Sequence, residues 1–279
     1  NDPKNQNTKC IYCLHGDMKN SIERYFIISD LHSIFLDERA FNIFLQIYKE
    51  HPSKGLIING DLMDFCSISD HAEKILEFSP NVLDGYSVDK EFDFVIEQIL
   101  QPLHRTNEKN PILVRLGNHC ERFLRPKKKN DTALSAIMEV CRKRGSMRLE
   151  ELLRLKDYNA RLSYNGVDRI NRFMFIHGVS TQKSAPEKNL RKYGSGTSGH
   201  SHRMGSIVES FYGGKRAWYE SGCLRTIEDI EYLPRGEVPN WCQGFLTLSF
   251  NGKNPDWFSC CPHIIHRYQC EFYGKLYAA

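Results

Sequence analysis

The run Tyr25-Phe26-Ile27-Ile28 leads without a break into Ser29-Asp30-Leu31-His32. Four apolar residues in a row read as a buried strand. An aspartate and a histidine two positions apart share one face of a still-extended chain at that strand's end. A carboxylate beside an imidazole suits a hard or borderline divalent cation. The arrangement recurs along the chain. Leu56-Ile57-Ile58 ends at Asn59-Gly60-Asp61-Leu62-Met63-Asp64, the run 111–116 ends at Gly117-Asn118-His119-Cys120, and the run 171–176 ends at His177-Gly178. A Gly/Ser-rich stretch then closes on Gly199-His200-Ser201-His202. A fold for this chain has to bring several strand ends together.

Residues 38–50 are predicted to form a helix, with Ala40, Phe41, Phe44, Leu45 and Tyr48 on one side and Pro52 and Gly55 closing it. Strand, ligand loop, helix, strand is a βαβ reading, with ligands outside the carboxyl ends of the strands. Residues 88–103 form a second helix, Asp131 caps a third over 132–144, and 148–156 holds another. Residues 65–86 are mixed. From Ala160 the texture turns to strands: 160–164 and 171–176 flank a turn at Asn165-Gly166, and 207–212 and 215–220 make a hairpin around Gly213-Gly214. Residues 244–250 and 268–273 add further strands. The nineteen residues 180–198, rich in Lys, Ser and Gly, read as a loop between two ligand blocks.

The chain has 279 residues, enough for one large domain over 21–279 behind a polar tail of 1–20, with the last 30 or so as closing strands or a C-terminal extension. No apolar run approaches the ~20 residues of a membrane span, and the first nine residues lack a signal-peptide core. The expected location is cytoplasmic, although a chain that does not open on Met leaves a removed leader open. Ten cysteines are scattered and are expected to be reduced thiols. Cys10, Cys13 and His15 are candidates for part of a zinc site, against the plainer reading of two thiols in a tail.

The net charge of +4 neither demands nor excludes nucleic acid. Arg122, Arg125, Lys127, Lys128 and Lys129, then Arg142, Lys143 and Arg144, either line a path for a polyanion or form a solvated surface. Arg203, directly after His202, is a candidate contact for a phosphate oxygen. Tyr193 and Tyr212 can stack on a base, or simply pack.

The ligand candidates are Asp30, His32, Asp61, Asn118, His177, His200 and His202. Seven O and N donors suit two metal ions better than one. Such pairs sit ~3.5–4 Å apart and clamp a phosphoryl group during in-line displacement. Carboxylate and imidazole without thiolate favour Mn, Fe, Zn, Co or Ni over a pure magnesium site, with Mn the first choice in vitro.

Asp30-x-His32, Gly60-Asp61-x-x-Asp64, Gly117-Asn118-His119, His177 and Gly199-His200-x-His202 resemble, in this order, the five blocks of the calcineurin-like metallophosphoesterase superfamily. They span residues 27–203, and the look is that of the compact phage and bacterial members. The resemblance implies an α/β fold, a four-layer α/β/β/α sandwich with two mixed sheets and a dinuclear site at the sheet edges. Asp30, His32 and His202 would hold the first metal, Asn118, His177 and His200 the second, with Asp61 bridging. His119 would contact the phosphate and assist the leaving group, and Asp64 would support. The implied reaction is hydrolysis of a phosphate ester by a metal-bridging hydroxide, a phosphodiester (nucleotide or nucleic acid) before a monoester. A phosphomonoesterase or protein phosphatase is the alternative. Cys120 departs from the pattern, since the family usually has Asp or Glu there to orient the histidine. Either Glu121 takes over, or Asp64 or a backbone carbonyl holds His119. The other alternative is therefore a weakly active or inactive metal-binding scaffold.

Overall fold

In the computed structural model, which describes residues 22–69, 86–126, 131–212, 214–228, 230 and 239–279, strand β1 (Ile22–Ile28) is buried on both faces at its carboxyl end. Phe26 and Ile28 enter a core shared with helices, and Ile27 enters a second core shared with another sheet. Burial on both sides is why this strand runs apolar without alternation.

The first sheet has the order β11-β10-β1-β2-β3-β4, with β2 at Gly55–Ile58, β3 at Ile112–Arg115, β4 at Ala160–Ser163, β10 at Gly244–Asn251 and β11 at Asn254–Ile264. Strands β1 to β4 are parallel, and β10 and β11 close the sheet antiparallel. The second sheet has the order β5-β6-β7-β9-β8, with β5 at Asp168–Ile170, β6 at Phe173–Ile176, β7 at Gly196–Ser198, β8 at Met204–Phe211 and β9 at Gly214–Ser221. Its central strands β6, β7 and β9 are parallel and its edges antiparallel. A hairpin, β12 (Gln269–Phe272) and β13 (Lys275–Ala278), packs Phe272 against Phe26 and His51.

Helix α1 (Glu38–Glu50) starts where the Asp37 carboxylate accepts the amides of Arg39 and Ala40, and it buries Ala40, Phe41, Ile43, Phe44, Ile47 and Tyr48. The rod after it is α2 (Val88–Phe94), a π-helical turn (Val95–Leu100) and α3 (Gln101–Thr106), where one regular helix was expected. Pro102 has no amide hydrogen and its ring crowds the preceding turn, so the spacing widens there. Helix α4 (Cys120–Leu124), α5 (Asp131–Arg144) and α6 (Leu149–Leu152) follow. These elements share the larger core with one face of the first sheet. Ile27, Ile57, Phe173, Phe175, Leu246 and Leu248 fill the space between the sheets. Leu190 of α7 (Ala185–Tyr193) packs with Ile176 and Trp218 on the far face of the second sheet. The result is the expected four-layer sandwich. No helix among the described residues is long and apolar enough to cross a membrane.

Several local expectations are corrected. Asn165-Gly166 is not a hairpin turn: β4 pairs with β3 in one sheet and β5 with β6 in the other, so it is the crossing between sheets. Buried Arg115 fastens it, with Nε on Asp168, Nη1 on Asn59 Oδ1 and Nη2 on the carbonyls of Asn165 and Gly166. The expected loop 180–198 contains α7 and β7. Strand β7 carries no apolar residue, and Gly196 is there because a Cβ would lie 2.7 Å from the Trp218 ring. The expected helix 148–156 breaks at Arg154, which takes φ 53°, and resumes as a 3-10 turn, Leu155–Tyr158. Strand β11 carries Pro262, which an edge strand tolerates. Lys143 and Arg144 pair with Asp89 and Asp93 and so tie α5 to α2. Cys10, Cys13, His15, Lys127, Lys128, Lys129, most of 65–86 and the Gly213 turn lie outside the described residues.

Candidate metal centre

Five loops meet at one edge of the sandwich. Those after β1, β2 and β3 come from the first sheet, and those after β6 and β7 from the second. Backbone pairing continues past the strand ends: the amides of Asp30, His32 and Ser33 donate to the carbonyls of Gly60, Asp61 and Leu62. Asn59 joins the sheets by donating its Nδ2 to the Ile176 carbonyl, and the Asp30 carboxylate does so by accepting the His200 amide at 3.0 Å. Five of the seven ligand candidates, Asp30, His32, Asp61, His200 and His202, have φ between 45° and 68°. That conformation costs a non-glycine residue roughly 1–2 kcal/mol and persists only where the surroundings enforce it. Glycines make the approach possible. A Cβ on Gly60, Gly117 or Gly199 would lie 2.1, 2.0 or 2.1 Å from His177 Nδ1, Asp61 Oδ1 or Ser29 Oγ respectively.

The side chains form two neighbouring clusters, and His32, Asp64 and His119 make a third grouping that overlaps the first at His32. Asp30, His32 and His202 make one, with His202 Nε2 3.2 Å from Asp30 Oδ1 and 3.0 Å from His32 Nε2. Asp61, His177 and His200 make the other, with His177 Nε2 2.9 Å from Asp61 Oδ2 and 3.0 Å from Asn118 Oδ1. Asp61 lies between them, its Oδ2 also 4.0 Å from His32 Nε2. Asp30, His32, Asp61, His177 and His202 are all buried.

Each inward nitrogen is set by what its ring does on the other side. His32 Nδ1 bonds Asp64 Oδ2 at 2.7 Å, and His177 Nδ1 donates to the Asn59 carbonyl at 2.9 Å. In the neutral ring both arrangements keep the proton on Nδ1 and leave Nε2 as the ligand atom, as a carboxylate–histidine–metal arrangement requires. Burial alone would push His32 and His177 down. The carboxylates of Asp30 and Asp64 outweigh it at His32, and the charges of Asp61 and Asp30 outweigh it at His177, so both are carried up to about 9. Burial takes His202 down to about 4, against the pull of Asp30. Burial would raise the carboxyls of Asp30, Asp61 and Asp64, but neighbouring histidines hold all three ionised. Carboxylates kept charged and imidazoles facing one another over buried space fit divalent cations, two by the number of donors.

Cys120 opens α4 as a buried thiol, pushed up to about 12 by burial and by the charge of Asp61. A neutral thiol cannot hold an imidazole N–H as a carboxylate does. His119 Nδ1 instead lies 3.1 Å from Asp64 Oδ2 and 3.2 Å from the Asp64 carbonyl, while Glu121 is exposed. Arg122 completes the clamp, its Nη1 donating to the Asp64 carbonyl at 2.8 Å and to Oδ1 at 3.0 Å. The His119 amide donates to Asp61 Oδ1 at 3.0 Å.

Sequence reasoning missed Glu91. It is 2% exposed, and its Oε1 accepts Ser33 Oγ at 2.6 Å and the amides of Asp64 and Phe65, each at 2.7 Å. A charged residue at helical spacing from Val88 and Val95 was the available signal. Arg203 stands close to the site, but its donors are occupied by Glu220 and by the carbonyls of Thr181 and Gln182. Tyr212 is fully exposed by the turn of the β8–β9 hairpin, whereas Tyr193 lines a cavity of about 600 Å3 that opens on Asn118, His177 and Gly199. Among the described residues, the metal-type groupings fall only in this centre.

No protein-family model matches the sequence, and no curated protein does. Among solved structures, Vacuolar Protein Sorting 29 from Cryptosporidium parvum is similar at 12% identity and TM-score 0.41, covering 92% of this chain and 96% of that one. Vps29 from Entamoeba histolytica, solved as a single mutant, is similar at 11% identity and TM-score 0.41, with 92% and 97% covered. A conserved uncharacterized protein from Streptococcus pneumoniae, described as a predicted phosphoesterase, is similar at 14% identity and TM-score 0.36, with 93% and 99% covered. Likeness at this level carries no functional weight, and the functional reading rests on the site.

Proposed function

We propose that the protein hydrolyses phosphate esters, diesters before monoesters, with two divalent cations. Asp30, His32 and His202 would hold one, Asn118, His177 and His200 the other, with Asp61 between them serving both. The observation that carries this is convergence: donors from five separate strand ends meet around Asp61, five of the seven on left-handed backbone that the surrounding loops enforce. When bound, such a cation pair neutralises charge on a phosphoryl group and acidifies a water to a nucleophile at neutral pH.

The chain's own residues do the rest. Asp64 and the Asn59 carbonyl fix the rings of His32 and His177, so the ligands are set before a substrate arrives. His119, held at Nδ1 by Asp64, presents Nε2 3.9 Å from Asp61 Oδ2. In hydrolysis a bond forms from the water oxygen to phosphorus and the bond from phosphorus to the leaving oxygen breaks. His119 Nε2 delivers the proton which that oxygen takes up. A diester needs room for a second substituent, and the cavity beside Asn118 and His177 provides it. The scaffold alternative rested on Cys120, and Asp64 supplies the partner that a thiol cannot.

The test is turnover of bis(p-nitrophenyl) phosphate with Mn added, by the wild type and by Asp61→Asn. Cleavage that the substitution abolishes, together with loss of one or both bound Mn, is the expected result. A wild type that binds two Mn and cleaves neither mono- nor diesters would overturn the enzyme reading.

A further inference from the structure

The cavity of about 600 Å3 beside the second metal position has walls whose chemistry can be read. Its floor is shared with Asn118 and His177. One wall is α4 with Leu124 and Arg125, another the sheet crossing with Tyr164, and a third the end of α7 with Lys192 and Tyr193. Its size is that of a small-molecule site rather than of a water-filled crevice.

Two features restrict the occupant. Tyr164 is 55% exposed, yet its hydroxyl is pinned by Glu150. Tyr193 is backed by the Trp218 ring, with centroids 5.9 Å apart, while Lys192 Nζ, itself on the cavity wall, lies 4.8 Å from the Tyr193 ring centre. Both rings are held from outside the cavity, so ordering them costs a ligand little. Arg125 and Lys192 make no ion pair with a carboxylate among the described residues, and of the acidic residues only Glu121 stands on the wall. Asn165 and Asn189 add amides that can donate and accept. Flat aromatic faces, amide edges and a cationic excess together suit a planar heterocycle carrying hydrogen-bonding groups and joined to a phosphate.

We infer that this cavity is a nucleoside pocket, so that the preferred substrate is a nucleotide ester whose phosphate lies on the metal centre and whose base lies against Tyr164 and Tyr193. The inference rests on the phosphoesterase reading for where the phosphate sits. A second phosphate group is the competing occupant, because Arg125 and Lys192 would serve it equally well.

The experiment has a binding arm and a turnover arm. Calorimetric titration of the Mn-loaded protein compares AMP, pyrophosphate and inorganic phosphate. Turnover compares thymidine 5′-(p-nitrophenyl) phosphate with methyl p-nitrophenyl phosphate, which share a leaving group. AMP is expected to bind at least roughly tenfold more tightly than phosphate, as stacking of one base implies, and the thymidine ester to be favoured by a similar factor. Tyr164→Leu and Tyr193→Leu should each erode both ratios, while Tyr164→Phe and Tyr193→Phe, which keep the ring, should retain them. Equal turnover of both esters, with ratios that ignore the leucine variants, overturns the nucleoside pocket and leaves hydrolysis standing. AMP preference lost in the leucine variants, with neither ester cleaved, supports the pocket and overturns the hydrolase reading. Pyrophosphate binding as tightly as AMP, weakened by Arg125→Ala and Lys192→Ala and not by the leucine variants, assigns the cavity to a second phosphate and overturns the inference.

Discussion

Asp64→Asn is the sharpest probe of how the metal centre is organised. One buried carboxylate serves three donors: Oδ2 faces His32 Nδ1 at 2.7 Å and His119 Nδ1 at 3.1 Å, and Oδ1 accepts Arg122 Nη1 at 3.0 Å. An amide of the same shape has one oxygen. If that oxygen faces the imidazoles, the amide N–H2 meets the Arg122 guanidinium, donor against donor. If it faces Arg122, the N–H2 turns on His32 Nδ1, which then has to accept, and the His32 proton moves to the nitrogen that should bind metal. Losing such an outer partner costs about 10–100-fold in metal affinity, or roughly 1.4–2.7 kcal/mol. With Asp64 only 3% exposed, solvent does little to soften the effect. Calorimetric titration of the metal-stripped protein with Mn reads the affinity directly, and the Mn dependence of diester hydrolysis reads it again. The rate at saturating Mn should also fall, because His119 loses the same anchor. Two Mn bound within twofold of the wild-type affinity, at an unchanged rate, would refute the idea that Asp64 organises both histidines.

Other outcomes follow from the same geometry. In the metal-free protein His32 and His177 stay protonated up to about 9, so Mn has to displace those protons; its apparent affinity should climb by up to about tenfold per pH unit from 7 and level off above 9. These raised groups stabilise the metal-free fold fully below their unfolded value of 6.5, and that stability is lost as pH rises through about 9, so denaturant melts in EDTA should weaken over this window. Gly117→Ala, whose Cβ would sit 2.0 Å from Asp61 Oδ1, should abolish binding of at least one Mn while leaving the far-ultraviolet circular dichroism of the sandwich intact. Cys120→Asp, which places a carboxylate beside His119, should not raise kcat, because His119 Nδ1 is already held by Asp64; a gain of tenfold would mean that it is not. Glu91→Ala strips the acceptor from Ser33 Oγ and two loop amides and should cost about 2–4 kcal/mol in a denaturant melt, whereas Glu91→Gln keeps an oxygen and should cost less.

The sequence by itself determined the strand ends and the donors. Phe26, Ile27 and Ile28 run apolar because two cores bury them, and that pattern places Asp30 and His32 at a strand end with no knowledge of the fold. The same logic reached Asp61, Asn118 and His177, and helical periodicity gave the bounds of Glu38–Glu50. Tertiary structure decided what local pattern cannot encode. Strand β7 is polar and short, and it is a strand because Met174 and Trp218 flank it in the sheet. Asn165-Gly166 has hairpin chemistry, yet the strands on either side of it belong to different sheets. Glu91 holds the Asp64 loop from 27 residues away. The residues around Cys120 left Glu121, Asp64 and a backbone carbonyl as possible holders of His119, and only the packed loops put Asp64 Oδ2 3.1 Å from its Nδ1. Strand ends are set by near-neighbour hydrophobicity, which the order of residues carries directly. The partners that orient a ligand are chosen by distance in space, and those distances exist only once the sheets have packed.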